Sequence, residues 1–101
     1  MQMPPAAALQ AEIRQLATDY WDGEYWPPLS NLARFTEELG EVARAVNQRY
    51  GDKRVKPGEP SADLQEELGD ALFVLLVLAD SMAVDMQAAF DGAIAKVRER
   101  A

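Results

Sequence analysis

Two short acidic segments constrain the fold of this chain more than any other feature. Glu37-Glu38-Leu39-Gly40-Glu41 and Glu66-Glu67-Leu68-Gly69-Asp70 share one design: acid, acid, Leu, Gly, acid. Each sits in a segment with helical apolar spacing. Leu32, Phe35, Leu39, Val42 and Val46 form one stripe, and Leu64, Leu68, Ala71, Leu72, Leu75, Leu78 and Ala79 form another. At about 100° per residue, Glu38 and Glu41 flank the first stripe as Glu67 and Asp70 flank the second. Glu37 points nearly the opposite way. Residues three apart share a helix face. Two such helices side by side therefore put four carboxylates around one point.

Four carboxylates at short range cannot all stay ionised without a cation. With one they become an oxygen cage, which suits Mg²⁺, with Mn²⁺ as a substitute. The chain has no cysteine and no histidine. Zinc is thereby disfavoured, as is a di-iron bundle, which needs Glu-x-x-His motifs. Thiol nucleophiles and Ser-His-Asp catalysis are excluded. Mg²⁺ in such a cage neutralises phosphate oxygens and activates water, which points to phosphoanhydride hydrolysis. A carboxylate not engaged by metal can orient or deprotonate the attacking water. No P-loop signature is present. Gly40 and Gly69, each one residue before the last acid, cost roughly 1 kcal/mol apiece against alanine in a helix. They predict close approach of a helix or a ligand.

The remaining chain supplies two more helices. Pro4-Pro5 opens a first one carrying Leu9, Ile13 and Leu16. Its pattern dissolves at Thr18, and the following segment to Pro28 holds both tryptophans and two of the three tyrosines. Trp21, Tyr25 and Trp26 either cap the core or line a pocket for a flat ligand such as a nucleobase. The second helix starts near Pro28 to Ser30 and runs to about Tyr50. Gly51 to Pro60 reads as a loop. Its basic residues Lys53, Arg54 and Lys56 are either solvated or a flap over phosphates. The third helix starts near Ser61 to Asp63, where Asp63 and Glu66 resemble a capping pair. Beyond Asp70 it is apolar all round, through Phe73, Val74, Leu76 and Val77, and such a helix must be covered on every side. That predicts a subunit interface. Asp85 caps a last helix carrying Met86, Phe90, Ile94 and Val97. The expected architecture is all-α: a four-helix bundle-like single domain over residues 1–101, oligomeric because a small domain buries little surface alone.

The net charge of −7 argues against nucleic acid as a partner, since phosphate neutralisation needs clustered Lys and Arg. The longest apolar run, Ala71 to Ala79, is far too short to span a bilayer. The N-terminus lacks the pattern of a signal peptide. A cytoplasmic protein without a membrane or nucleic-acid partner is the expectation.

The two-part acidic motif resembles that of the MazG-like nucleoside triphosphate pyrophosphohydrolases, in the all-α NTP pyrophosphatase superfamily. The resemblance extends over Tyr25-Trp26-Pro27-Pro28-Leu29, Leu32-Ala33-Arg34, Asn47 to Tyr50 and Gly69 to Val74. It implies an all-α NTP pyrophosphatase fold and hydrolysis of (d)NTP to (d)NMP and pyrophosphate, a nucleotide-pool house-cleaning reaction. It implies Mg²⁺ ligation by Glu38, Glu41, Glu67 and Asp70. Glu38 and Glu41 are the expected catalytic residues, with Glu37 as the first acid of the motif. It further implies phosphate contacts from Lys53, Arg54, Lys96 and Arg100, and a homodimer or homotetramer. One departure is Arg98, where relatives carry asparagine. Two alternatives remain: a non-catalytic helical oligomerisation module with solvated acids, or a hydrolase of another nucleotide phosphoanhydride.

Overall fold

The computed structural model describes residues 5–51 and 55–101. Among these there are four helices and no strand: α1 Ala6–Tyr20, α2 Pro28–Tyr50, α3 Leu64–Ser81 and α4 Met86–Arg100. The helix starts follow local chemistry. Proline is tolerated in a first turn because the N–H it lacks would have no partner there. Pro5 is accordingly the N-cap of α1, and α2 opens on Pro28 after an extended Pro27. Asp63 caps α3 by accepting the Glu66 N–H at 3.1 Å. Asp85 caps α4 by accepting the Ala88 N–H at 3.0 Å. Both caps were legible as aspartates just ahead of an apolar period.

α3 is the centre of the molecule. α2 packs along it most extensively, α1 packs on its other side, and α4 packs mainly against α1. The core joins Ile13 of α1 to Leu76 and Val77 of α3, with Leu9, Tyr25, Phe73 and Met86 packed around them. Val74, Leu78 and Ala79 are also buried. Beyond Asp70, packing by α1 and α2 leaves Val74, Leu76 and Val77 buried and Phe73 half-buried, while Leu72 stays exposed.

Exposed apolar surface lies elsewhere. Leu32, Leu39 and Val46 form a line down α2 at a spacing of seven residues, and all three are exposed. Leu68 and Leu72, on the N-terminal half of α3, are exposed as well. The stripe read from sequence as the core face of α2 is therefore only partly inward; Ala45 is buried, while Phe35 and Val42 are half-buried. On α4 no residue is buried, and Phe90, Ile94 and Val97 are open to solvent. α3 and α4 turn by 111° relative to one another, so α4 projects from the others and the bundle is incomplete within one chain. The radius of gyration is 16.3 Å, against about 13 Å for a compact chain of this length. No single described helix is long and apolar enough to cross a membrane.

Gln10 closes the α3–α4 turn from a distance. It is buried in α1, donates to the Val84 carbonyl at 2.6 Å and accepts the Met86 N–H at 3.0 Å. The same turn places Ala83 at φ 55, while the Val84 N–H reaches back to the Ala79 carbonyl at 2.9 Å. This left-handed position suits glycine, and alanine there is strained by roughly 1 kcal/mol. Ala83→Gly is expected to stabilise the fold by about that amount, measured as an upward shift of the urea midpoint at unchanged slope.

Candidate active site

The α2–α3 contact brings the two acidic motifs together as their spacing predicts, but not all four acids equally. Glu38, Glu67 and Asp70 each offer a carboxylate oxygen, and these lie within 4.8 Å of one another. That span fits oxygens placed on opposite sides of one divalent ion at roughly 2.0–2.6 Å each. Glu38 and Glu67 are half-buried and Asp70 is exposed. Glu41, expected as a fourth ligand, is not in this group. Its carboxylate sits 3.5 Å from the Arg44 Nε, one turn on along α2, a pairing available to any acid and base three apart on a helix. Arg44 also reaches Glu59 at 3.6 Å.

Glu41 still acts on the cluster electrostatically. The Glu67 carboxyl is raised above its ordinary pKa by partial desolvation first, then by repulsion from Glu41, Asp70, Glu66 and Glu38. A cation would reverse that disfavour of the charged form, and the donor set fits a hard, oxygen-seeking ion such as Mg²⁺ or Mn²⁺. Glu37 is exposed and stands outside the three-acid group. It lines a shallow recess together with Glu38, Arg34 and Trp26, so it faces the approach to the acids and not open solvent alone.

Gly40 and Gly69 do not mark close approach within the chain. A Cβ at either would meet nothing within 4 Å. The reason is that both glycines lie away from the α2–α3 seam, so their cost to helix propensity is not offset by packing here.

Beside the acids lies a larger cavity of about 450 Å³. Its walls are the aromatic segment between α1 and α2, the first turns of α2, and Phe73, Val74 and Val77 of α3. Trp21, Tyr25 and Trp26 all line it. Trp21 stands edge-on to Tyr25, with centroids 6.3 Å apart, and to Phe73 at 6.4 Å. The segment is tied down by one buried carboxylate. Asp80 accepts the Tyr25 hydroxyl at 2.5 Å and the Arg14 guanidinium at 2.8 Å. Burial first, then this hydrogen bond and the charge of Asp80, push Tyr25 up to about 12. Buried Asn31 donates to the Trp26 carbonyl at 2.9 Å, which fixes the end of the segment onto α2.

Sequence reasoning missed Asn31, Arg34 and Phe73 as cavity residues. Asn31 and Arg34 are three apart on α2, and Arg34 is four before Glu38, so helical spacing alone put them on one face. Of the expected phosphate contacts, Lys53 and Arg54 lie outside the described residues. Lys96 and Arg100 lie on the projecting α4 and line neither cavity. Within one chain they are not part of the site, because α4 packs chiefly on α1.

With this geometry in place, comparison with known proteins is decisive. A family model described as the MazG nucleotide pyrophosphohydrolase domain matches residues 27–101. The chain belongs to the MazG family. It is 44% identical over 92 residues to the uncharacterized protein YpjD of Bacillus subtilis strain 168, covering 91% of this chain and 82% of that protein. The fold superposes on a crystal structure of B. subtilis YPJD, described as a candidate pyrophosphatase, with a TM-score of 0.79 and 42% identity, over 95% of this chain and 97% of that one. It also superposes on the Bacillus-conserved MazG protein, described as a nucleotide pyrophosphohydrolase, with a TM-score of 0.78 and 35% identity, over 96% and 93% of the two chains. The family and the all-α fold expected from the two acidic motifs are therefore both established. Membership makes nucleotide pyrophosphatase chemistry, a hydrolase reaction on an acid anhydride, the activity supported for this domain.

Two predictions concern titration and metal. Because the Glu67 carboxyl is raised, it contributes stability below the ordinary carboxylate range and loses it as pH rises through the raised value. In chelator, Glu67→Gln is expected to melt higher than the parent at neutral pH. Added Mg²⁺ is expected to stabilise the parent more than the variant. Equal Mg²⁺ shifts in the two proteins count against the cluster as a metal site. Tyr25, raised from 10.0 to about 12, contributes stability present below pH 10 and lost as pH rises towards 12. Tyr25 should therefore give a late ionisation step near pH 12 in an ultraviolet titration. Tyr25→Phe should abolish that late step at a cost of about 1–3 kcal/mol.

Proposed function

We propose that this domain hydrolyses a (d)NTP to the (d)NMP and pyrophosphate with Mg²⁺, as a nucleotide-pool house-cleaning enzyme. The observation that carries this reading is the juxtaposition of two unlike sites. A cluster of three carboxylates on facing helices lies beside an aromatic cavity large enough for a base. The cluster alone is common on protein surfaces. Beside a cavity walled by indole and phenyl rings, in a MazG domain, it is read as the phosphate end of a nucleotide site.

In this reading Glu38, Glu67 and Asp70 hold Mg²⁺, and Glu41 joins them by leaving Arg44. Bound there, the ion neutralises phosphate oxygens and lowers the pKa of water, with Mn²⁺ as a substitute. Glu37, the acid of the motif left outside the metal-holding group, orients water and accepts its proton. The water oxygen bonds to the α-phosphorus, the bond from that phosphorus to the bridging oxygen breaks, and pyrophosphate leaves. The base lies between the rings of Trp21, Tyr25 and Trp26. Every base has a π-face, so stacking by itself is tolerant of sequence.

The exposed apolar residues of α2 and α3 and the open face of α4 support a homodimer or homotetramer, in which Lys96 or Arg100 of α4 can reach a neighbouring site. Lys53 and Arg54 of the loop remain proposed phosphate contacts. A cytoplasmic setting, where nucleoside triphosphates are found, follows from the proposed substrate.

Pyrophosphate release from a panel of NTPs and dNTPs tests the reading. The parent is expected to turn over at least one of them only with Mg²⁺ or Mn²⁺. Glu38→Gln is expected to lose on the order of 100-fold or more in kcat/KM. Equal rates in parent and variant would remove the acids from the mechanism.

A further inference from the structure

Arg34 occupies an unusual place between the two halves of the site. It is the residue, with Trp26, that lines both the aromatic cavity and the shallow recess containing Glu37 and Glu38. Its guanidinium carbon lies 5.8 Å from the centroid of the Trp26 ring, within reach of a cation–π contact. It makes no ion pair with a described carboxylate, whereas Arg14 and Arg44 are both engaged by acids. It also stands one helical turn before Glu38 on α2. A guanidinium held over an indole, and not paired to an acid, keeps its donor fork free for another anion.

The geometry points to Arg34 as the residue that binds the α-phosphate of the substrate and keeps hold of it in the nucleoside monophosphate product. This rests on the nucleotide pyrophosphohydrolase reading above and deepens it. The argument is one of position. A nucleotide with its base in the aromatic cavity and its anhydride at the acids must pass its first phosphate across the boundary between them. Arg34 is the cation on that boundary. Two parallel N–H donors match the two non-bridging oxygens of a phosphate, and the Trp26 ring gives the guanidinium a cation–π partner at the boundary. The location also separates roles. The phosphate nearest the sugar meets Arg34, and the two leaving phosphates lie further along, towards the carboxylates.

Binding measurements on the intact protein decide this. The probes are nucleoside triphosphates with a methylene group between the α- and β-phosphorus, carrying each of the four bases, read by quenching of Trp21 and Trp26 with Mg²⁺ present. Arg34→Met is expected to weaken the analogue that the parent binds best by about 10- to 100-fold. It should weaken the corresponding monophosphate by a similar factor. Binding of the parent nucleoside and of pyrophosphate should stay within about twofold, and the melting temperature should not change. Arg34→Lys, a point charge without the fork, should fall between the two proteins.

Several outcomes overturn the assignment. One is an analogue affinity in Arg34→Met equal to the parent's. Another is an equal loss for the nucleoside, which would mean Arg34 merely shapes the aromatic cavity. A loss for pyrophosphate without a loss for the monophosphate would move Arg34 to the leaving group. Failure of the underlying reading looks different. A parent protein that hydrolyses no triphosphate, yet binds the analogue in an Arg34-dependent way, retains the phosphate assignment and loses the reaction. Hydrolysis with an unaltered KM in Arg34→Met retains the reaction and loses the assignment. A parent that shows no quenching by any analogue overturns both.

Discussion

Repulsion between carboxylates on facing helices is the constraint on which the site depends. Glu38 comes from α2, and Glu67 and Asp70 come from α3, yet their oxygens lie within 4.8 Å. Desolvation first, and then this repulsion, raises the Glu67 carboxyl above its ordinary value. The arrangement is sustained by the most extensive contact in the molecule, α2 along α3, and by buried apolar residues such as Val74 and Ala71. Hydrophobic burial is non-directional and tolerates where the acids end up. The helix caps at Asp63 and the start at Pro28 set the register, and register decides which acids meet. Glu41 shows how fine the margin is. It belongs to the same helical face, but an arginine three residues on, Arg44, takes its carboxylate.

The aromatic cavity relies on a different device. A segment of seven residues joins α1 to α2 and would have few restraints of its own. Asp80 of α3 ties it by accepting from Tyr25 while also accepting from Arg14 of α1. Asn31 ties its other end by bonding the Trp26 carbonyl. Three elements thus converge on the rings, and the cavity keeps its walls although Trp26 itself is exposed. Buried polar groups of this kind are worth most when every member has a partner. The result places a rigid apolar recess beside a charged, oxygen-rich one, with Trp26 and Arg34 shared between them.

Within one chain the molecule is open. No residue of α4 is fully buried, and Leu32, Leu39 and Val46 of α2 and Leu68 and Leu72 of α3 are exposed. Isolated exposed apolar residues are ordinary, whereas rows of them along helices mark association surfaces. The exposed residues of α2 and α3 include Leu39 and Leu68, the leucines inside the two acidic motifs themselves. The same short motif therefore serves the site with its acids and presents an apolar residue outward, which links any partner on that face to the site's own helices.

Period and residue chemistry alone determined a good deal. The four helices, the aspartate caps of α3 and α4 and the pairing of the two acidic motifs were legible because these follow from spacing along one chain, and the family was legible through the resemblance those motifs carry. The aromatic residues could be singled out, but not their arrangement. Tertiary structure decided what spacing leaves open. It put Arg44 within reach of Glu41, packed α1 and α2 against the apolar half of α3, and left α4 projecting. It showed open space at Gly40 and Gly69 where close packing was expected. It also set Arg34 at the boundary of the two recesses, where helical spacing gave only its shared face with Asn31 and Glu38. The physical reason is common to all of these. A helix period fixes which residues share a face, but which neighbour meets that face depends on how the loops turn and on long-range bonds such as Asp80 to Tyr25.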